Sequence, residues 1–172
     1  MIKKNYLLNI LSEDRKGLVS IITSMLNRKG IEIESICAAK TDDRTNVLLT
    51  IEVVANAIEI KMMVLKIRNI VDVYHAVACL LENAAYHKVA LYVLNKETCN
   101  SEVYNHMQKY GAVIVGYDKD CVIIQKTGRD EHILALFNVL DGKYLKGFSK
   151  SAAIALRPFV NDDEDLVISR AA

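Results

Sequence analysis

The sequence predicts an α+β protein made of two successive βαββαβ units. Three observations carry that expectation. Apolar segments of strand length alternate with stretches of helical periodicity, the order strand, helix, strand, strand, helix, strand occurs twice, and polar clusters containing glycine separate the pieces. The chain has 172 residues, 52% of them hydrophobic and 25% charged. That is enough apolar surface to build a core, and it excludes a disordered chain. One proline and seven glycines exclude collagen-like or linker-like character. With 22 basic and 21 acidic residues the formal net charge is +1, which gives no general attraction for nucleic acid or an anionic membrane. No apolar run approaches the roughly 18 residues that a membrane-spanning helix needs. The N-terminus, Met1-Ile2-Lys3-Lys4-Asn5, lacks the apolar stretch of a secretory leader. Cys37, Cys79, Cys99 and Cys121 are widely spaced, without C-x-x-C pairs, and read as buried free thiols of a cytoplasmic protein.

In the first unit, Asn5 to Leu11 is a short apolar strand. The polar cluster Ser12-Glu13-Asp14-Arg15-Lys16-Gly17 follows it. Leu18, Ile21, Ile22, Met25 and Leu26 then form the stripe of an amphipathic helix, closed by Asn27-Arg28-Lys29-Gly30. Ile31 to Ala39 alternates as a second strand, Thr41-Asp42-Asp43-Arg44-Thr45 makes a hairpin-type turn, and Asn46 to Val54 is a β-branched third strand. Ile58, Met62 and Leu65, flanked by Met63, Ile67 and Ile70, mark a second helix between Ala57 and Asn69, and Val71 to Leu80 closes the unit.

The second half repeats the plan without repeating the sequence. Lys88 to Asn95 is strand-like, and Val103, Met107 and Tyr110 mark a helix that ends near Gly111. Ala112 to Val115 and Cys121 to Gln125 are strands joined by the turn Gly116-Tyr117-Asp118-Lys119-Asp120. Ile133, Leu134, Phe137 and Leu140 mark a helix ended by Asp141-Gly142, and Tyr144 to Leu156 is extended. Two ferredoxin-like units follow from this order, antiparallel sheets with two helices on one face. The first is expected over residues 1–81 and the second over 82–160, joined around Glu82 to Tyr86. A tail over 161–172 holds the acidic run Asn161-Asp162-Asp163-Glu164-Asp165, read as a solvated end. Exposed sheet edges need cover, which predicts a homodimer.

Catalytic signatures are missing from the sequence: no G-x-S-x-G, no phosphate-cradling glycine loop and no H-E-x-x-H. His75, His87, His106 and His132 stand isolated, and the aspartates of the turns suit backbone capping better than acid–base work. The first turn has more to offer. Asp14-Arg15-Lys16-Gly17 lies before a helix N-terminus, where free amides can hold a carboxylate. Gly17 allows a ligand or another chain close to the backbone. The same residues also suit an ordinary strand-to-helix turn.

Several segments resemble a known family. They are Gly17-Leu18-Val19-Ser20 opening a helix, Lys29-Gly30-Ile31-Glu32-Ile33-Glu34-Ser35-Ile36, the Thr41-Asp42-Asp43 turn, and Leu65 to Val73 (LKIRNIVDV). Together they resemble an ACT domain and, more narrowly, the small regulatory subunit of acetolactate (acetohydroxyacid) synthase, whose pattern is G-A-L-S-R-V, R-G-Y-N-I-E-S-L and T-D-D. Tyr110-Gly111-Ala112 and Lys150-Ser151-Ala152-Ala153 extend the resemblance over residues 5–158. It implies a protein without an active site or cofactor of its own. Such a protein activates the thiamine-diphosphate-dependent catalytic large subunit in valine, leucine and isoleucine biosynthesis and in many cases confers feedback by valine. It further implies an effector pocket between two ACT domains of a dimer, with Asp14, Gly17 and Leu18 from one protomer and Glu32 and Ile33 from the other.

The pattern has asparagine where this chain has Asp14 and Glu32. An amide donates to a ligand carboxylate, whereas an ionised carboxylate only accepts. One or two acidic groups beside an anion cost on the order of 1–4 kcal/mol at intermediate dielectric, so valine is expected to bind weakly, or an effector with more positive charge to replace it. Arg15 and Lys16 are expected to offset part of this by pairing with either acid. Some relatives carry a helix arginine where Ile21 stands here. Two other functions share the fold: a free-standing ACT-type amino-acid sensor acting on another enzyme or a transcription factor, and a small enzyme using His75 or His132.

Overall fold

The computed structural model describes residues 2–42 and 44–155. Asp43 of the first hairpin turn, the end of the second expected unit and the acidic run lie outside the described residues. By packing, Tyr86–Ala152 forms one compact unit, and the preceding described residues, with residues 153–155, form the other.

In the first unit the elements are β1 (Lys4–Glu13), α1 (Leu18–Arg28), β2 (Glu32–Lys40), β3 (Asn46–Ala55), α2 (Ala57–Arg68) and β4 (Val73–Leu80). The sheet order is β2-β3-β1-β4 and every pair is antiparallel. This is the ferredoxin-like arrangement that the segment order predicts. One face of the sheet carries Tyr6, Leu8, Ile10, Leu49, Ile51 and Val53 into a core shared with both helices. The opposite face is polar at its centre, yet Asn9 and Thr50 are buried there and Thr50 Oγ1 donates to Asn9 Oδ1 at 3.1 Å.

Helix α1 ends in a Schellman motif: Gly30 sits at φ +64°, its amide donates to Asn27 O, and the Ile31 amide donates to Leu26 O. Helix α2 begins with a capping box, in which the Asn56 side chain accepts from Ile58 and Glu59 while Glu59 accepts from the Asn56 amide.

The helices differ from expectation in which face they bury. In α1 the core residues are Leu18, Ile22 and Leu26, while Ile21 is exposed. In α2 they are Ile60, Met63, Val64 and Ile67, and Ile58, Met62 and Leu65 form an exposed stripe on the far side. Both stripes of α2 have helical spacing, so periodicity alone could not choose between them; the longer run of residues won the core. β4 starts at Val73 rather than Val71, because Asn69 and Ile70 still turn back onto the last helical carbonyls.

The second unit comprises β5 (Tyr86–Asn95), α3 (Ser101–Tyr110), β6 (Val113–Asp118), β7 (Cys121–Gly128), α4 (Asp130–Leu140) and β8 (Leu145–Lys150); the short β9 (Ile154–Ala155) follows outside it. Its strands run β6-β7-β5-β8, the same order as the first sheet. Its core is more aromatic. Tyr92 and Phe148 rings lie 5.1 Å apart, Phe137 and Phe148 4.8 Å apart, and Tyr92 OH donates to Ile133 O at 2.8 Å. Burial pushes the Tyr92 hydroxyl up to about 12. The expected five-residue turn contracts to Lys119-Asp120, because β6 keeps pairing with β7 through Tyr117 and Asp118. All four cysteines are free but half-buried rather than buried. Burial pushes the Cys79 and Cys99 thiols up, away from the reactive thiolate.

Candidate functional site

The β1–α1 turn is built from main-chain bonds that reach across the sheet end. Glu13 N donates to Asp72 O, and Asp14 N donates to Thr45 O, each at 2.9 Å. Gly17 adopts φ +89°, a left-handed conformation that a side chain would strain, and the space beside its Cα is open. As N-cap, Gly17 offers α1 no side chain. Leu18 N donates to Arg15 O and Ile21 N to Gly17 O, whereas the Val19 and Ser20 amides have no acceptor among the described residues. No acidic residue stands in the first turn of α1. The result is an uncapped helix start with open space beside its glycine, suited to an anionic group.

Charged side chains flank this turn in pairs. Arg15 Nη1 lies 2.9 and 3.0 Å from the two carboxylate oxygens of Asp72, and Lys40 Nζ lies 2.5 Å from Asp14 Oδ2. The expected offset by Arg15 and Lys16 is therefore corrected: Arg15 is held by Asp72, and the partner of Asp14 is Lys40. Just before the turn, Ser12 Oγ is fully buried without a hydrogen-bond partner among the described residues.

Of the five expected site residues, the fold brings Asp14, Gly17 and Leu18 into one turn. Glu32 and Ile33 lie elsewhere. Glu32 pairs in register with Val54, while Glu13, next to Asp14, pairs with Asn46. Eight residues of β3 separate those positions, roughly 26 Å at the usual rise per residue. Within one chain the two groups stand at opposite ends of the sheet. Glu32 is exposed and Ile33 half-buried against the core. Lys40 and Asp72 are the residues that sequence reasoning missed. Asp72 sat within the LKIRNIVDV segment, so its signal was present, whereas nothing in the local pattern of β2 marks Lys40 as facing Asp14.

The histidines of the enzymatic alternative are dispersed. His75 is half-buried on β4, and exposed His132 on α4 has its imidazole Nε2 3.9 Å from the neighbouring Glu131 carboxylate. Among the described residues no group of three or more His, Cys, Asp or Glu could hold a metal ion. No helix among them is long and apolar enough to cross a membrane. A separate ion cluster lies in the second unit. Lys88, 3% exposed, places its Nζ 2.6 Å from Asp130 Oδ2, and Lys150 binds the other carboxylate oxygen. Burial pushes the Asp130 carboxyl up, but the Lys150 and Lys88 ammonium groups outweigh it and hold the carboxyl below its usual range.

A family model described as the small subunit of acetolactate synthase matches residues 88–158. The acetolactate synthase small subunit of Mycolicibacterium smegmatis is 21% identical over 150 residues, covering 87% of this chain and 88% of its own. The Haemophilus influenzae small subunit is 31% identical over 71 residues, covering 41% of this chain and 44% of its own. The crystal structure of the Thermotoga maritima small subunit superposes with a TM-score of 0.78 at 19% identity, over 89% of this chain and 96% of that one. The chain resembles the small subunit of acetolactate synthase. The resemblance read from the N-terminal motifs thus extends through both units. The family-model match falls on the second half, where the short motifs carry less information than those around Gly17 and Glu32.

Proposed function

We propose that this protein is a non-catalytic regulatory subunit of acetolactate synthase. It binds the thiamine-diphosphate-dependent catalytic large subunit in the cytoplasm and raises its activity in branched-chain amino-acid synthesis. The observation that carries the reading is the similarity to proteins named acetolactate synthase small subunit along most of both chains, 87% of this one and 88% of the Mycolicibacterium smegmatis protein.

The chain works as a homodimer through the β2 edge. β2 is the outer strand of its sheet and has no strand on its far side among the described residues. Two β2 edges running antiparallel about Ile36 set the partner's Glu32 against Lys40, at the end of the sheet where Asp14 and Gly17 stand. That pairing gathers Asp14, Gly17 and Leu18 of one protomer with Glu32 and Ile33 of the other into one effector site. The Val19 and Ser20 amides receive the effector's carboxylate, and the acidic side chains receive its ammonium group. Lys40, shared between Asp14 and the opposing Glu32, offsets the charge that two carboxylates add beside an anion. Domain boundaries near residues 81 and 160 complete the reading, with the second unit available for the large subunit.

Reconstitution tests it. The protein is mixed with the acetolactate synthase large subunit of the same organism, and acetolactate formation is followed with and without valine. A several-fold rise in rate is expected, with weak inhibition by valine that strengthens in Asp14→Asn. An unchanged rate with a well-folded protein overturns the regulatory-subunit reading in favour of a stand-alone amino-acid sensor.

A further inference from the structure

Helix α2 is apolar on two opposite sides. Ile60, Met63, Val64 and Ile67 pack into the core of the first unit. On the far side Ile58 is 59% exposed, Met62 50% and Leu65 40%. A helix that is apolar all round calls for cover on both faces. The other exposed positions of α2 are Lys61 and Lys66, which the helical repeat sets on opposite flanks of the stripe. Its one carboxylate, Glu59, is half-buried and accepts from the Asn56 amide. Helix α1 carries no acidic residue and adds Arg28. The helix layer of the first unit therefore exposes apolar and basic groups without an exposed acid. The second unit differs: α3 and α4 expose Glu102 and Glu131, and each has a single large exposed apolar side chain, Tyr104 and Leu134.

We propose that the segment Asp162-Asp163-Glu164-Asp165-Leu166-Val167-Ile168 of the same chain docks on the α2 stripe. Three features select that occupant. First, its chemistry is complementary: an acidic run to meet Lys61 and Lys66, then three apolar residues to cover Ile58, Met62 and Leu65. The acidic run stays in water beside the lysines while the apolar triplet leaves it. Second, the reach is sufficient. Residues 153–155 pack with the first unit, the one that carries α2. The chain from Ala155 to Leu166 spans up to ~36 Å when extended, against a diameter of about 30 Å for a body of this size. Third, the tether gives the segment an effective concentration on the order of millimolar, so even a weak contact fills ahead of a free partner at lower concentration. The match to the family model ends at residue 158. The segment lies beyond it, and the inference does not depend on the acetolactate synthase reading.

The test uses the full chain, which contains no tryptophan. Leu166→Trp and, separately, Ile168→Trp each place a single reporter in the apolar triplet. Blue-shifted emission and weak acrylamide quenching are expected at every protein concentration. Adding Met62→Glu with Leu65→Glu is expected to red-shift the emission and raise the quenching constant several-fold. Both positions are already exposed, and far-UV circular dichroism checks the fold. Lys61→Glu with Lys66→Glu leaves the apolar stripe untouched and is expected to act in the same direction more mildly, with Asp162→Lys and Asp163→Lys in the same chain restoring the burial. Solvent-exposed emission from both reporters overturns the proposal. Burial that survives both pairs of α2 substitutions also overturns it, since the segment then sits elsewhere. Burial that appears only as concentration rises assigns the segment to a second copy, and burial that appears only on adding the catalytic large subunit assigns it to that partner; either overturns docking within the chain.

Discussion

The two units share an order of elements and an order of strands, yet they treat the start of their first helix in opposite ways. In the second unit, Asn100 caps α3: its Oδ1 accepts from Glu102 N at 3.1 Å and Val103 N at 3.2 Å. In the first, Gly17 caps α1 with no side chain at all, and the equivalent amides stay open. Both helices close identically, with a glycine at φ +64° and a Schellman pair of bonds, at Gly30 and at Gly111. The fold thus tolerates either start and needs the same stop. The open start of α1 is the feature on which the proposed effector site rests.

Breaking the comparison begins with the cores, where the effects are largest. Ile22→Ala, in the buried face of α1, is expected to destabilise by about 2–5 kcal/mol in urea unfolding. Ile21→Ala, one residue earlier and exposed, is expected to stay within ~0.5 kcal/mol. Equal losses would mean that the helix faces are misassigned. Next comes the second unit's ion cluster. Lys88→Ala removes a buried ammonium from Asp130 and is expected to cost about 1–3 kcal/mol. Because the folded Asp130 carboxyl lies below its usual 3.8, its ion pairs stabilise the protein fully above that pH and are lost as the pH falls through the folded value. Asp130→Asn should therefore flatten the acid limb of stability against pH, read by thermal unfolding.

Smaller effects sharpen the contrast between the two helix starts. Asn100→Ala should cost about 1 kcal/mol, and Asn56→Ala, which breaks the capping box of α2, a similar amount. Gly17→Asn should change stability least, since asparagine tolerates the left-handed conformation. It should nonetheless weaken binding of a carboxylate effector in calorimetry by filling the open helix start. An unchanged affinity would remove that turn from the effector site.

The sequence made the order of segments legible, because strand and helix periodicities differ and glycine marks the stops. It also made the N-terminal half of the candidate site legible, because Asp14, Gly17 and Leu18 are neighbours in one turn. The buried face of α2 was not legible. Ile58, Met62 and Leu65 repeat at the same spacing as Ile60, Val64 and Ile67, and only packing against the sheet separates them. Lys40 was not legible either, since its meeting with Asp14 depends on how far β2 and β3 run before they turn. The distance between Glu32 and the Gly17 turn is a property of strand register, which no local motif encodes.

The position of β1 governs how this protein is made. β1 leaves the ribosome before both strands it pairs with, yet it lies at the centre of its sheet between those later segments. Leu8 meets Ile51 on one flank and Ala78 on the other. At the usual 5–20 residues per second of synthesis, about seventy residues take roughly 4–14 s to follow. Throughout that interval the stretch from Tyr6 to Ile10, among the most apolar of the chain, waits without its neighbours. While it waits, β1 is exposed to chaperones and to self-association, and slower codons within residues 11–80 would prolong that exposure.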